Sequence, residues 1–225
     1  SGGRLLPAFG VGNARSPDWE ATGNSPRGRG ARADEALELL TRLWAENEVS
    51  FEGEYYRIND ITIKPRPLQQ PLPLWIGGDS VAAIRRTARI GTGWLGGLQT
   101  IARTSETVAA IRHASDEAGR PIDDDHYGAT FAFRFGNIDD APVERAIAPL
   151  RRLGEDVVAS YLAVGNTATI LRRIEEFVAI GISKFVLRPL AENNADMLVQ
   201  TQRLVEEILP VVAGWNARAS TPAAR

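Results

Sequence analysis

The chain contains no cysteine, only two histidines and no long apolar run, and each absence excludes a class of protein. Without cysteine there are no disulfides, thiol nucleophiles or thiolate metal sites, which also fits a reducing compartment. His113 and His126 lie far apart in sequence, so we expect no histidine-rich metal centre. No apolar stretch approaches the ~20 residues that a membrane-spanning helix needs. We therefore expect a cytoplasmic protein without a metal site or a membrane partner.

An excess of charge of one sign is also missing. The formal net charge is −2, from 26 basic and 28 acidic residues, so nothing predicts a nucleic-acid partner. The first residues, "SGGRLLPAFG", lack the basic start and apolar core of a secretion signal. What is present is ordinary for a globular protein: 225 residues, 44% hydrophobic and 24% charged, enough for a substantial core.

Short apolar runs alternate with helical patterns along most of the chain. Five such runs predict strands, in "LLPAF", "LPLWIG", "GWLGG", "HYGATFAFRFG" and "SKFVLRP". A sixth stretch, "VSFEGEYYRI", predicts a small hairpin, and it follows a clearly amphipathic helix, "ARADEALELLTRLWAENE". Strands that alternate with helices indicate a parallel sheet with helices outside it. The alternation alone does not separate a (β/α) barrel from an open, doubly wound sheet.

Glycines follow two of the predicted strands at their carboxyl ends, where ligands bind in parallel α/β folds. Gly10 and Gly12 follow the first strand, and Gly77 and Gly78 follow "LPLWI". Ser80 is a good N-cap for the helix after the second pair, so free amides and the positive helix end face that turn. This pattern indicates an anion site, most simply for a phosphate.

The alternative is that the Gly-Gly turn is only a tight connection and that Ser80 only caps the helix. Asp79 argues against a phosphate, because its carboxylate would repel a dianion unless it points away. The turn matches neither the Walker loop nor the dinucleotide-binding G-x-G-x-x-G pattern.

An ordered series of segments resembles one known family. The segments are "GRLLPAFGVG", "WEATG", "RGARADEALELLTRLW", "VSFEGEYYRI", "PRPLQQPLPLWIGGDS", "RRTARIGTGWL" and "GNTATILRRIEEFVAIGISKFVLRP". In order and spacing they are similar to the bacterial luciferase-like monooxygenase family, over about residues 2 to 212. Within it, "WIGG" and "KFVLRP" look most like the branch that uses a deazaflavin coenzyme of the F-420 type. FMN remains the alternative cofactor.

The resemblance implies an α/β fold, a TIM-type (β/α) barrel, of which this chain would supply about the last five β/α units. About 90 to 110 residues would then precede Ser1, on the usual size of such barrels. We expect a single barrel domain over residues 1–217 and a disordered tail over 218–225. The unpaired strand edges of such an incomplete barrel, and the family's habit of pairing, make a homodimer plausible.

The resemblance also implies roles for particular residues. The coenzyme phosphate would lie on the turn, and its tricyclic ring beside the end of the first strand. Two further residues would lie at the end of the next strand, near the coenzyme tail. The residues concerned are Gly77, Gly78, Asp79 and Ser80 for the phosphate, Gly10, Val11, Gly12 and Asn13 for the ring, and Gly93 and Trp94 for the tail.

Arg188, on the last strand, would face the mouth of the pocket and balance an anionic coenzyme. The plainer alternatives are a turn-forming Asn13, a core Trp94, and an Arg188 that is exposed or ion-paired.

Other candidates receive structural roles. His113 is expected to be solvated, and His126 is only a weak acid–base candidate because nothing in the sequence orients it. We expect Glu20 and Glu35 to tie the long loop after the first strand to the barrel. A basic helix face, formed by Arg85, Arg86 and Arg89, is expected to be solvated.

The sequence therefore predicts an oxidoreductase that transfers hydride between a deazaflavin coenzyme and a small organic substrate. An FMN-dependent monooxygenase is the close alternative. Two other interpretations remain: a non-catalytic truncated barrel that binds or scaffolds, and an open-sheet enzyme for a sugar phosphate. No catalytic residue is assigned, because the proton donor is expected upstream of Ser1.

Overall fold

The computed structural model describes residues 2–153, 158 and 160–219, and these residues divide into two compact units. The first unit comprises residues 2–96 and 107–127, and the second comprises residues 97–106 and the described residues from 128 onward. The single domain predicted over residues 1–217 stays a prediction. Helix α8, defined below, ends at Ala219, so residues 218 and 219 are helical where a tail was expected. Residues 220–225 lie outside the described part.

The first unit is built on three parallel strands. Strand β1 is Ala8–Phe9, β4 is Trp75–Gly77 and β5 is Gly93–Leu98, and β4 pairs with both of the others. The connection from β1 to β4 holds the remaining early elements: α1 (Asp18–Ala21), α2 (Arg29–Ala45), β2 (Val49–Glu52) and β3 (Arg57–Ile61). The last two form the predicted antiparallel hairpin. Helix α3 (Val81–Ile90) joins β4 to β5, and α4 (Ile101–Glu117) follows β5. The last two residues of β5 and the first six of α4 fall in the second unit.

The apolar positions of α2 explain how this helix packs. Leu37 is buried together with Leu74 and Ile76 of the β4 region, and Leu40 and Trp44 pack against the same cluster. Leu37, Leu40 and Trp44 follow the i, i+3, i+7 spacing of one helix face. Burial of this face holds α2 against the sheet, close to the ends of β1 and β4.

The second unit has its own parallel strands. Strand β6 (Tyr127–Phe135) pairs with β7 (Leu162–Gly165) along its second half, and with β8 (Lys184–Pro189). The helical segments are α5 (Ala141–Ile147), a 3₁₀ segment (Ala148–Leu153), α6 (Thr167–Ala179), α7 (Asn194–Arg203), a π-helical segment (Leu204–Ile208) and α8 (Leu209–Ala219). Stacked phenylalanines, Phe131 on Phe177, lie in its core. Strand β7 was not among the predicted strands.

The four strand pairs of the two units are all parallel, with helices between successive strands, as the sequence predicts. Within the described part of the chain, no helix combines the length and the apolarity needed to cross a membrane.

Gly93 generates the first testable prediction, because a Cβ built on it would lie 2.5 Å from Cε2 of the buried Trp75. The indole cannot move aside in a packed core, so Gly93→Ala should lower the free energy of unfolding by about 1–3 kcal/mol. Urea denaturation followed by circular dichroism measures this.

The matched control is Gly97→Ala in the same strand, where a Cβ would meet nothing within 4 Å. It should change stability by no more than about 0.5 kcal/mol. Equal stabilities for the two variants would contradict the packing argument.

Candidate functional site

The ends of β1 and β4 meet at the turn that follows β4. A Cβ built on Gly77 would lie 3.6 Å from the carbonyl oxygens of Phe9 and Leu95, and 3.9 Å from the Gly10 Cα atom. The two glycine clusters predicted from the sequence are therefore neighbours in the first unit. Their backbones meet at ordinary van der Waals distance, and neither glycine places a side chain at this edge.

The turn itself has the geometry of an anion site. Gly78 has a φ of 107°, a left-handed value that favours glycine. Ser80 caps α3, since its Oγ accepts a hydrogen bond of 3.2 Å from the Ala83 amide. Among the residues that the structure describes, none accepts a hydrogen bond from the Val81 or Ala82 amide. Both residues are exposed, so these donors and the positive end of α3 are available to an anion.

Trp94 fixes the orientation of the Gly78 peptide. Its side chain is fully buried, and its Nε1 donates a 2.8 Å hydrogen bond to the Gly78 carbonyl. In a trans peptide the carbonyl and the next N–H point in opposite directions, so the Asp79 N–H is directed away from the indole. Asp79 itself is half-buried. Trp94 thus acts on the turn from within the core, in keeping with the core alternative weighed for it.

One placement of the sequence analysis is wrong. Gly93 and Trp94 were expected at the end of a strand, but they are the first two residues of β5, which ends at Leu98. Gly93 is buried against Trp75, so its lack of a side chain serves packing. Contact of either residue with a coenzyme stays a prediction.

The segment from Gly10 to Asn13 has an open side and an anchored side. A Cβ on Gly10 would meet nothing within 4 Å, so a planar group can approach its backbone. Val11 is half-buried, and Gly12 has a φ of 69°. The carbonyl of Asn13 accepts hydrogen bonds from Trp19 Nε1, at 2.7 Å, and from the Ser16 amide, at 3.0 Å.

The Asn13 side chain forms a local turn, because its Oδ1 accepts a hydrogen bond of 3.0 Å from the Arg15 amide. This geometry fits the turn-forming alternative for Asn13. The predicted hydrogen bond from Asn13 to a ring carbonyl stays a prediction. Its donor would be the Nδ2 atom of the Asn13 side chain.

Arg188 belongs to the second unit. It is exposed, lies one residue before the carboxyl end of β8, and pairs in register with Ala132 of β6. Its predicted place at a pocket mouth is not tested.

The basic face of α3 differs from its prediction. Arg86 is only 4% exposed, and its guanidinium forms a bidentate pair with Asp34 of α2, at 2.8 Å from Nε and 3.0 Å from Nη2. Arg89 also pairs with Asp34, at 2.9 Å, and Arg85 is exposed as expected. Sequence reasoning missed this pair because its partners are 52 residues apart; the "RADE" segment of α2, which contains Asp34, was the available signal.

These two arginines lower the pKa of the Asp34 carboxyl. Partial burial raises the pKa of Asp34, but the hydrogen bonds and charges of Arg86 and Arg89 outweigh it, and the net pKa lies below its usual value. The carboxylate is therefore stabilised in its ionised form, and it fastens α3 to α2.

Of the remaining candidates, Glu35 has a structural role, and the tie predicted for Glu20 stays a prediction. Glu35 accepts hydrogen bonds from the amides of residues 54 to 56 in the turn of the hairpin, so it anchors that hairpin and not the long loop. Glu20 and His113 are exposed. His126 lies 3.8 Å from the Asp123 carboxylate and packs edge-on against Trp75.

An ionic network that the sequence did not predict lies in the second unit. Arg134, at the carboxyl half of β6, donates to Asp140 at 2.6 Å and to Asp196 at 2.7 Å. Burial lowers the pKa of Arg134, but these two carboxylates outweigh the effect and raise it. The network connects β6 to α7, and the Arg134 guanidinium is neutralised by carboxylates of the protein itself.

Parallel strands that alternate with helices define the class of α/β proteins, in which ligands bind at the carboxyl ends of the strands. The family model described as luciferase-like monooxygenase matches residues 1–154. The chain belongs to this family.

Several individual relatives support the same placement. An F420-dependent glucose-6-phosphate dehydrogenase of Intrasporangium calvum is 26% identical over 94% of this chain and 71% of the relative. Another, from Nakamurella multipartita, is 38% identical over 43% of this chain and 29% of the relative. That second match spans about a third of its relative's length.

Solved structures show the fold. An F420-dependent secondary alcohol dehydrogenase with an F420–acetone adduct aligns with a TM-score of 0.75 at 18% identity, over 92% of this chain and 69% of that one. A type II Baeyer–Villiger monooxygenase from Pseudomonas putida, in complex with FMN, aligns with a TM-score of 0.68 at 14% identity, over 91% and 70%. The predicted fold class is confirmed. The number of barrel units stays a prediction, and the open-sheet alternative is dropped.

The Asp34 pair gives a pH-dependent prediction. A carboxyl whose folded pKa is depressed stabilises the fold above its unfolded pKa, near 4, and this contribution is lost as the pH falls through the folded value. Asp34→Asn should lower the free energy of unfolding at pH 7 by about 1–3 kcal/mol. It should also flatten the fall in stability between pH 5 and pH 3, measured by urea denaturation at each pH.

The control is Asp139→Asn, at an exposed carboxylate that forms no ion pair with the described residues. Its stability profile should follow that of the unsubstituted protein. An unchanged acid slope in Asp34→Asn would contradict the assigned role.

Proposed function

We propose that this chain binds a deazaflavin coenzyme of the F420 type and takes part in hydride transfer to or from a small organic substrate. The observation that carries the proposal is the pair of unpaired amides of Val81 and Ala82 at the positive end of α3. They are donors for the phosphate of the coenzyme tail. The names of the relatives, which are F420-dependent dehydrogenases, support the choice of coenzyme and of an enzyme over a non-catalytic protein.

The residues present fit a tricyclic coenzyme with a phosphate. The phosphate end would lie on Gly77 to Ala82, where the backbone supplies the donors. The ring would lie toward Gly10 to Asn13, because the two glycine clusters are neighbours and the space beside Gly10 is open. Trp94 would act as a positioning residue, since its indole holds the Gly78 carbonyl turned inward. When bound, the coenzyme supplies the hydride chemistry.

The protein's part is to fix the coenzyme and to shape its surroundings. Asp34 and Arg86 hold α3 against α2, so the amides of α3 keep a constant position relative to the Gly10 segment. Preorganised donors bind an anion without a reorganisation cost, which favours affinity. No catalytic residue is assigned within the described residues, and the substrate stays open, as do the homodimer and the cytoplasmic location.

A second candidate is an FMN-dependent monooxygenase, favoured by the likeness to the FMN-bound monooxygenase. FMN also ends in a phosphate, so the same turn would hold it. Titration of the protein with each coenzyme, followed by fluorescence, separates the two. Tight FMN binding with no deazaflavin binding would replace the first proposal by the second.

Val81→Pro tests the phosphate site with little risk to the fold. Val81 is the first residue of α3, where proline is well tolerated, and Ser80 has the extended backbone, φ −72° and ψ 156°, that precedes proline. The substitution removes one amide donor of the proposed site. A charge-assisted hydrogen bond contributes about 1.5–3 kcal/mol, so coenzyme affinity should fall about 10- to 100-fold.

The matched control is Asn194→Pro, at the exposed first position of α7, whose preceding residue is also extended. This variant should bind the coenzyme as the unsubstituted protein does. Thermal unfolding of both variants should change little. A Val81→Pro protein that binds both coenzymes with unchanged affinity would remove the basis of the proposal.

A further inference from the structure

A small pocket beside the Gly10 segment carries two cations. Its volume is about 300 Å³, and its lining includes Gly10, Gly12, Trp19, Arg29, Arg32 and Tyr56. All of these residues belong to the first unit. The residues that line it include no aspartate or glutamate. Both arginines are partly buried.

Neither arginine has a counter-ion within the described part of the chain. The Arg29 guanidinium donates one hydrogen bond, from Nη1 to the Pro26 carbonyl at 3.3 Å. Its Nε is shielded from solvent and has no acceptor. Arg32 lies over the Tyr55 ring, 5.4 Å from the centroid, and makes no ion pair. Partly buried cations without a partner are unfavourable, so their arrangement calls for an anion from outside the protein.

The position of the two arginines in α2 adds to this excess of positive charge. They are three residues apart in its first turn, so they are neighbours on one face and repel each other. The first turn has no acidic residue, although the positive end of a helix favours negative charge there. Gly28, the N-cap, gives no side-chain cap. Three separate sources of positive potential therefore converge on the pocket.

We infer that this pocket binds the oxyanion group, a carboxylate or a phosphate, of a small molecule. Arginine suits both groups, because its planar fork donates two parallel hydrogen bonds to them. The pocket adjoins the segment proposed to flank the coenzyme ring, so the anion belongs to the substrate or to the acidic tail of the coenzyme. Assigning it to one of these two sources depends on the proposed function; the anion site does not.

Inorganic phosphate is the probe, at constant ionic strength and without coenzyme. At ten times its Kd, phosphate should raise the Tm by about 3–6 °C. Because phosphate would also occupy the turn of α3, the measurement is made in the Val81→Pro background. Arg29→Gln and Arg32→Gln should each weaken the remaining phosphate affinity at least about tenfold, and the double variant should lose the Tm shift.

The control is Arg27→Gln, which removes an exposed arginine next to α2 that does not line the pocket. It should keep the phosphate response. Without phosphate, the double variant Arg29→Gln/Arg32→Gln should be at least as stable as its parent, because it removes unpaired cations. A double variant that keeps the phosphate response, or that unfolds more easily in phosphate-free buffer, would overturn the inference and assign the arginines a structural role.

Saturation with coenzyme then identifies the source of the anion. A phosphate response that persists assigns the pocket to the substrate. A response that disappears, with weaker coenzyme binding in the arginine variants, assigns it to the coenzyme tail. If no coenzyme binds at all, the proposed function fails. The phosphate response of the arginine variants still tests the anion site independently.

Discussion

The unpaired amides at the start of α3 are the interaction on which the interpretation of this molecule depends. They exist because Ser80 caps only the Ala83 amide and because the carbonyl of Gly78 is turned toward Trp94. A core residue thus determines which backbone groups reach the surface. The same strand ends bring Gly10 beside Gly77, so the donor-rich turn and the open glycine segment form one continuous edge.

Electrostatics divides helix α2 into two parts with different tasks. Asp34 binds Arg86 and Arg89, which satisfies the charges that join α2 to α3. One turn earlier, Arg29 and Arg32 have no such partner among the described residues. The contrast within one helix is informative: pairing marks the interface between the two helices, and lack of pairing marks the face toward the pocket. In the second unit, Arg134 shows the paired pattern again, with two carboxylates.

Sequence patterns predicted the features that depend on local chemistry. The hairpin, the Ser80 cap and the parallel α/β arrangement follow from periodicity and from residue preferences within a few positions, and they are confirmed. Features that depend on distant contacts were missed. Strand β7 is only four residues long, and its apolar run was too short to separate from a loop.

The same limit applies to the candidate site. Gly93 was placed at the end of a strand because the family resemblance implied it, whereas its role is to admit the Trp75 ring, which only the fold reveals. The burial of Arg86 likewise depends on a partner 52 residues away. In contrast, the Gly77–Ser80 turn was predicted because its glycines and its capping serine are adjacent in sequence, whereas the hydrogen bond from Trp94 was not predicted.

An anion held by main-chain amides is largely indifferent to the identity of the side chains around it. Mutation can exchange almost any residue near the start of α3 without removing the N–H groups, apart from proline. The arginines of α2 offer no such protection, since a single codon change abolishes each of them. Over evolutionary time, descendants of this chain could therefore diverge in what they recognise at the pocket beside α2, while the turn before α3 is inherited unchanged.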